Sequence, residues 1–568
     1  MQKNKFLLLA SSFTTLLLLA AAAGQEHFVK EWRHIQGQGR SEEAPIPVQL
    51  RQIVNPALGI SDRCVSCNVA MAPGEELVTG SPVLHRHRPV AHDPADYGCT
   101  VCHGGQGLAT EKADAHGDVD FWPQPMLPRD MSQAGCGTCH AHVAIPNADA
   151  LAASRAVFER RSCLACHRVD GRGGVQRRAS TLQRRGTQPA GGQGLDGPDL
   201  SRVGVTGFNA RWYDDHLAKS AGETTAESAA PWATLFGPIA DADRAALRTY
   251  LATRVGAPDL IEAKATFLST GCLGCHTVSG VGGEEGPDLT RVGDKDPGQV
   301  DFAQVPGGRS FAAWNLEHFR SPGAVAAGSQ MPVLGLTEDQ IRKLTFYVLS
   351  LRRRDLPGSY LPADRLRVAR FGEREFAPDG AAIFSAFCTG CHGLDGMGRR
   401  SPGMPAFPAV ANPDFLSRVS DDFLATTVRL GRPGRRMPAW GRIAGGLRPD
   451  EIAAVVRYLR TRSGIAARPD PKPKRWVKGD AGEGERLFAS ICSGCHGGKG
   501  QGGEGPALNN RVLLDAATDT YFVETIGNGR RGTAMPGFLT SSPVRPALAP
   551  AEIEAVVAFL RTWQETVP

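Results

Sequence analysis

Fourteen cysteines lie in this chain, and all of them fall into seven Cys-x-x-Cys pairs. Six pairs are followed at once by histidine: Cys99 and Cys102 by His103, Cys136 and Cys139 by His140, Cys163 and Cys166 by His167, Cys272 and Cys275 by His276, Cys388 and Cys391 by His392, and Cys492 and Cys495 by His496. Chance would supply roughly 0.01 such matches in a chain of this composition. The spacing has a chemical reason. Two thiols three positions apart on one helical turn can form thioethers to the two vinyl groups of one haem, and the adjacent imidazole then meets the iron from the same side. Each motif is therefore expected to hold one haem c.

An iron held this way takes one more axial ligand, and its chemistry sets the potential. Met331-Pro332, Met437-Pro438 and Met535-Pro536 follow His276, His392 and His496 by 55, 45 and 39 residues. Thioether sulfur is soft, favours ferrous iron and raises the potential, so Met331, Met437 and Met535 are expected as ligands. Met404 lies too near His392 to compete. After His167 the pattern breaks: Ala230-Pro231 stands where Met-Pro is expected, and no Met occurs between Met131 and Met331. His216 and, less so, Lys219 could substitute. Yet Trp212-x-x-x-His216 matches Trp314-x-x-x-His318, where Met331 already serves, so a structural histidine is the expectation. That leaves the His167 haem five-coordinate or ligated from elsewhere.

Around the first motifs there is no suitable Met-Pro pair but there are spare histidines, which suggests bis-histidine haems. His92, His116 and His142 are the preferred distal ligands, ahead of His85 and His87, with His27 and His34 last. His142 lies too close to His140 to serve that haem and would reach a neighbouring one. The remaining pair, Cys64 and Cys67, is followed by Asn68, a poor iron ligand. A haem lacking its usual histidine, a disulfide, a lost site and a zinc site all remain open there, with six haems favoured over seven.

The elements that must position these groups repeat. Motifs near 163, 272, 388 and 492 are separated by 109, 116 and 104 residues, which marks tandem units. In each, a short helix carrying Phe158, Phe267, Phe384 or Phe488 leads into the motif. A Gly-Pro loop follows, with Pro198, Pro287 and Pro506 in three units and the looser Ser401-Pro402-Gly403 in the third. A closing amphipathic helix carries Tyr250, Tyr347, Tyr458 or Phe559, expected to pack on the leading helix. The expected division is 25–147, 148–256, 257–352, 378–464 and 480–566. Arg352–Pro378 and Ser463–Asp480 read as linkers, and Arg172–Gly194 as a surface loop. At the front, Lys3 and Lys5, the apolar run Phe6–Leu19 and Ala21–Ala23 fit a secretory signal over 1–24, or an uncleaved anchor.

The order helix, Cys-x-x-Cys-His, Gly-Pro loop, Met-Pro, helix resembles the class I cytochrome c domain four times over. Tyr97–Gly107, with Trp122-Pro-x-Pro-Met-Leu-Pro128 and Cys136–His140, resembles the multihaem module of bacterial respiratory cytochromes. The resemblance implies a multihaem c-type cytochrome: a mainly α fold with much coil, tandem helical domains around covalent haems, preceded by a loop-rich module. It implies that the carbonyls of Pro198, Pro287 and Pro506 accept from the motif imidazoles. It further implies an exported, periplasmic electron carrier of a respiratory chain, between a membrane quinol-oxidising complex of cytochrome b or bc type and a terminal acceptor. If bis-histidine haems sit low and His/Met haems high, electrons run from the N-terminal module towards the C-terminal domains. The alternative is a haem enzyme reducing peroxide, nitrite or nitric oxide at the His167 haem. The formal charge of +6 ignores haem propionates and carries no expectation of nucleic acid.

Overall fold

The computed structural model describes residues 2–38, 46–71, 87, 92–119, 122–140, 143–173, 197–206, 213, 216–217, 239–306, 308–352, 355–400, 406–441, 446–543 and 545–566. The chain is mainly α. Three antiparallel two-stranded ribbons make up the sheet among the described residues: β1 (Ile53–Asn55) with β2 (Ile60–Asp62), β3 (Arg168–Val169) with β4 (Arg172–Gly173), and β5 (Thr277–Val278) with β6 (Val281–Gly282).

Helix α1 (Gln2–Gly24) is exposed along its length, and is long and apolar enough to cross a membrane. A single turn, Gln25–Val29, leads into α2 (Glu31–Gln38), which buries Trp32 and Gln36. The Gln36 amide is fully used: its Nε2 donates to the carbonyls of Ser66 and Gln49, and its Oε1 accepts from Gln49 N and Arg51. A buried amide satisfied on both ends fixes the exit of α1 from the folded module.

Four helix pairs follow. α3 (Ala148–Arg160) packs on α4 (Asp241–Ala252). Then come α5 (Pro258–Thr270), α6 (Phe311–Arg320) and α7 (Glu338–Ser350), with α5 packed against α7. After α8 (Ala363–Phe371) come α9 (Gly380–Phe387), α10 (Asp421–Leu430) and α11 (Pro449–Ser463), with α9 on α11. The last group is α12 (Ala481–Leu487), α13 (Arg511–Ala516), α14 (Asp519–Asn528) and α15 (Pro550–Thr566), with α12 on α15. Asn147, Asp379 and Asp480 accept from the first turns of α3, α9 and α12, and Thr337 with Gln340 forms a capping box on α7. Such caps contribute about 1 kcal/mol each. Each pair is locked by the aromatics read from the sequence: Phe158 on Tyr250 at 5.0 Å, Phe267 on Tyr347 at 4.7 Å, Phe384 on Tyr458 at 5.5 Å and Phe488 on Phe559 at 5.6 Å between centroids.

The units share cores. One cluster of buried side chains runs from Leu127 through α3, α5, α7 and α9 to Leu459. A second joins Phe415, Leu416 and Phe423 to Tyr521, Phe522 and α15. The joint between the last two units is reciprocal: Asn412 donates to the Arg531 carbonyl and Asn510 to the Pro433 carbonyl. Each asparagine also caps a helix in its own unit.

The stretch after α7, read as a linker, is instead a structured strap across the N-terminal module. Asn55 donates to the Tyr360 hydroxyl, and Tyr360 stacks edgewise on Tyr97. Arg365 donates to the Thr138 carbonyl. Ile145 pairs with Phe376, and the buried Lys264 of α5 meets Glu375 at 3.1 Å. Phe376 is buried there, while Leu366 and Phe371 of the same stretch stay exposed.

Candidate functional site

Six of the seven motifs close on the same tight turn. The carbonyl of the first cysteine accepts from the residue four positions on: His103 at 3.0 Å, His140 at 2.8 Å, His167 and His276 at 2.9 Å and His392 at 2.8 Å. Asn68 makes the same bond to Cys64, at 3.0 Å. The turn therefore exists at Cys64 and Cys67 with an amide in place of the imidazole.

The Gly-Pro loops close on the rings. His167 Nδ1 lies 2.9 Å from the Pro198 carbonyl, His276 Nδ1 2.9 Å from that of Pro287 and His496 Nδ1 2.8 Å from that of Pro506. In the third unit the acceptor is Pro408, 2.8 Å from His392 Nδ1; the sequence pointed to Ser401–Gly403, which lies outside the described residues, as does Met404. The glycine before each proline is required by contact. A Cβ at Gly197, Gly286 or Gly505 would sit 2.4, 2.5 or 2.8 Å from the nearest atom of the facing imidazole. The bond fixes Nδ1 as the protonated nitrogen and leaves Nε2 for a metal.

The sulfurs suit thioethers. Burial pushes the thiols of Cys136, Cys272 and Cys388 up to about 12, and those of Cys67, Cys163 and Cys492 up to about 11. These sites favour neutral sulfur, whereas the thiols of Cys64 and Cys275 are lowered by the facing Cys99 and Cys391. Among the described residues no cluster of three or more His, Cys, Asp or Glu converges on one point.

Neighbouring motifs touch. The thiols of Cys275 and Cys391 face each other, and the backbone of Gly271 lies against that of Gly390. Cys64 packs against the small cluster of Ile53, Val65 and Cys99. Gly135 lies so close to the Cys102 carbonyl that a Cβ there would overlap it at 1.7 Å, and Gly137 meets Ser350 at the end of α7 in the same way. The first three pairs thus form one cluster that abuts α7, and the motifs at 272 and 388 form a second.

Opposite three motif rings stands another histidine. His92 faces His140 with centroids 5.9 Å apart and planes at 22°. His87 faces His103 at 5.9 Å and 68°. His216 faces His167 at 6.2 Å and 71°. Metal–nitrogen bonds of about 2 Å, plus roughly 1 Å from each nitrogen to its ring centre, put two trans imidazoles about 6 Å apart. The centroid separations of all three pairs match that distance. His318, the counterpart of His216, instead lies flat on Trp314 at 4.7 Å and 11°. His116 ends a short helix and pairs with no motif ring among the described residues. His142, His85, Trp212, Lys219 and Ala230-Pro231 lie outside them. Sequence reasoning ranked His87 low and read His216 as structural, because facing across a site is a tertiary property that spacing does not carry.

Met331, Met437 and Met535 are half-buried against the same cores as the first cysteines of their units. Two of their loops are alike: Arg432 N donates to the Met437 carbonyl at 2.8 Å, and Arg530 N to that of Met535 at 3.0 Å.

Comparison with known proteins adds the family. Residues 375–459 and 479–560 match the model described as "Cytochrome C oxidase, cbb3-type, subunit III", and residues 261–352 match "Cytochrome c". The chain is a multihaem c-type cytochrome. Its domains imply covalently bound haem c. Among its relatives, the cbb3-type cytochrome c oxidase subunit FixP of Bradyrhizobium diazoefficiens is 30% identical over 194 residues, 32% of this chain and 59% of that protein. Subunit CcoP of Rhodobacter capsulatus is 28% identical over 194 residues, 32% of this chain and 61% of that protein. Cytochrome c55X of Stutzerimonas stutzeri is 41% identical over 54 residues, 10% of this chain and 47% of that protein. The cytochrome spans about three-fifths of the length of the oxidase subunits it matches.

Proposed function

We propose that this cytochrome is a membrane-anchored electron conductor of a respiratory chain, with six haems held by Cys99–His103, Cys136–His140, Cys163–His167, Cys272–His276, Cys388–His392 and Cys492–His496. Each haem supplies a one-electron Fe(III)/Fe(II) couple. The protein's part is to fix order, ligation and burial. The observation that carries this reading is contact between attachment sites: Cys102 against Gly135, and Gly271 beside Cys272 against Gly390 between Cys388 and Cys391. Motifs that touch hold their cofactors as neighbours, which is the requirement for transfer along a chain.

Ligation sorts the sites. His87, His92 and His216 complete bis-histidine sets with His103, His140 and His167, while Met331, Met437 and Met535 complete His/Met sets in the last three units. Imidazole pairs sit lower in potential than His/Met pairs, so the file descends in energy for an electron from the N-terminal module to residues 480–566. The donor side is a membrane quinol-oxidising complex of cytochrome b or bc type. The acceptor side is the C-terminal pair, whose relatives are named as oxidase subunits, and it delivers to an oxidase, a reductase or a small cytochrome. Helix α1, held to the periplasmic module through Gln36, serves as an uncleaved anchor. An enzyme reducing peroxide, nitrite or nitric oxide at the His167 haem needs an open face there, and His216 stands across it.

Intact mass of the purified protein, with a pyridine haemochrome assay, tests the reading. Six haems and an N-terminus still carrying α1 support it. Fewer than six haems, or turnover of those small substrates at enzymatic rates, overturns it.

A further inference from the structure

Four motif histidines turn Nδ1 towards a proline carbonyl at 2.8 or 2.9 Å. His140 does not. Its Nδ1 faces Asp364, whose Oδ1 lies 4.0 Å away. Asp364 is the second residue of α8, on the strap between the second and third units. It is 1% exposed, and neither of its carboxylate oxygens has a hydrogen-bond partner among the described residues. A carboxylate buried without a donor is unfavourable unless something opposite compensates it. The group opposite is the imidazole edge. His92 lies across from the same ring, with the two planes nearly parallel and their centroids 5.9 Å apart. The strap holds this arrangement from both sides, through Tyr360 on Asn55 and Tyr97 and through Arg365 on the Thr138 carbonyl.

We propose that Asp364 is a positioning residue that accepts the Nδ1–H of His140 and thereby gives the haem held by Cys136 and Cys139 the lowest potential in the chain. The inference rests on the reading that Cys136 and Cys139 carry haem. A small rotation of the carboxylate closes the 4.0 Å gap to a hydrogen bond. A charged acceptor makes this bond roughly twice as strong as the neutral proline carbonyls do. Electron density then moves onto the ring and out through Nε2, which stabilises Fe(III) over Fe(II). The strap therefore couples the packing of the second and third units to the electronics of a haem in the first module.

The test is a potentiometric titration of full-length D364N, which keeps the shape and an acceptor oxygen but removes the charge. The expected result is six haems, with one of them about tenfold easier to reduce, an upward shift of ~59 mV for a one-electron couple, and the other five unmoved. D364E should restore part of the shift. Six haems with unchanged potentials in D364N overturn the proposal. If D364N and D364E fail to load the Cys136 haem, near-infrared magnetic circular dichroism of the unsubstituted protein decides. One bis-histidine haem with its charge-transfer band moved from the others supports the proposal, and identical bands for all of them overturn it. A haem count showing Cys136 and Cys139 unmodified in the unsubstituted protein sinks the underlying reading instead, and the two failures stay distinct.

Discussion

A single imidazole decides what the His167 site does. Without a methionine in its unit, that haem either stays open to small ligands or borrows a second nitrogen. His216 lies 6.2 Å from His167 between ring centroids, while the matching His318 is stacked on Trp314. Substituting His216 by Ala should open the site: the ferrous protein gains one CO-binding high-spin haem per chain, seen in the Soret difference spectrum. Substituting His318 by Ala should leave the spectrum unchanged. Equal CO binding before and after the His216 change would contradict the assignment. The motif turns were legible in the sequence because Cys-x-x-Cys-His is a local pattern that one helical turn satisfies. The Met-Pro pairs were equally visible there, because they too are local. His87 and His216 reach their places through the fold, so spacing offered them only as lesser candidates. Pro408 was missed because a longer loop delivers the same carbonyl without the Gly-Pro dipeptide.

Helices and loops act as brackets for those residues. The leading and closing helices were legible from their apolar steps and from one aromatic on each, and the structure joins Phe267 to Tyr347 and Phe488 to Phe559 as that pattern requires. The Gly-Pro loop works by contact. Gly286 lies against His276 so closely that a methyl group would fall 2.5 Å from its Nδ1. Gly286→Ala should therefore push the ring or the loop away and lengthen the bond to Pro287. The expected cost is about 1–3 kcal/mol of local stability, read as a lowered midpoint for loss of the Met-ligated spectrum of that haem on denaturation. An unchanged midpoint would mean the loop is not the clamp. The strap was not legible, because Arg- and Pro-rich composition reads as solvated linker. Its few apolar residues and its buried Asp364 are set by partners more than 200 positions away in the chain.

At the scale of the whole molecule, the units are joined firmly enough to hold a fixed order of sites. Lys264 of α5 is 1% exposed and is neutralised by Glu375 of the strap. Removing Lys264 leaves the partly buried Glu375 without its cation. Lys264→Ala should therefore cost roughly 1–3 kcal/mol, seen as faster amide hydrogen exchange across 363–377 with little change in α12–α15. Protection lost evenly over all units would argue for one cooperative block instead. The reciprocal asparagine bonds between the last two units tie their methionine loops together, so the end of the file moves as a pair.

The central claim is a file of neighbouring haems ordered by ligation. A potentiometric titration of the intact protein, followed by EPR, tests it most directly. The account predicts six one-electron centres, all low-spin when oxidised, with the His/Met signals lost first on reduction and the bis-histidine signals last. Bis-histidine signals that vanish first, or a high-spin centre that persists in the oxidised protein, would contradict it.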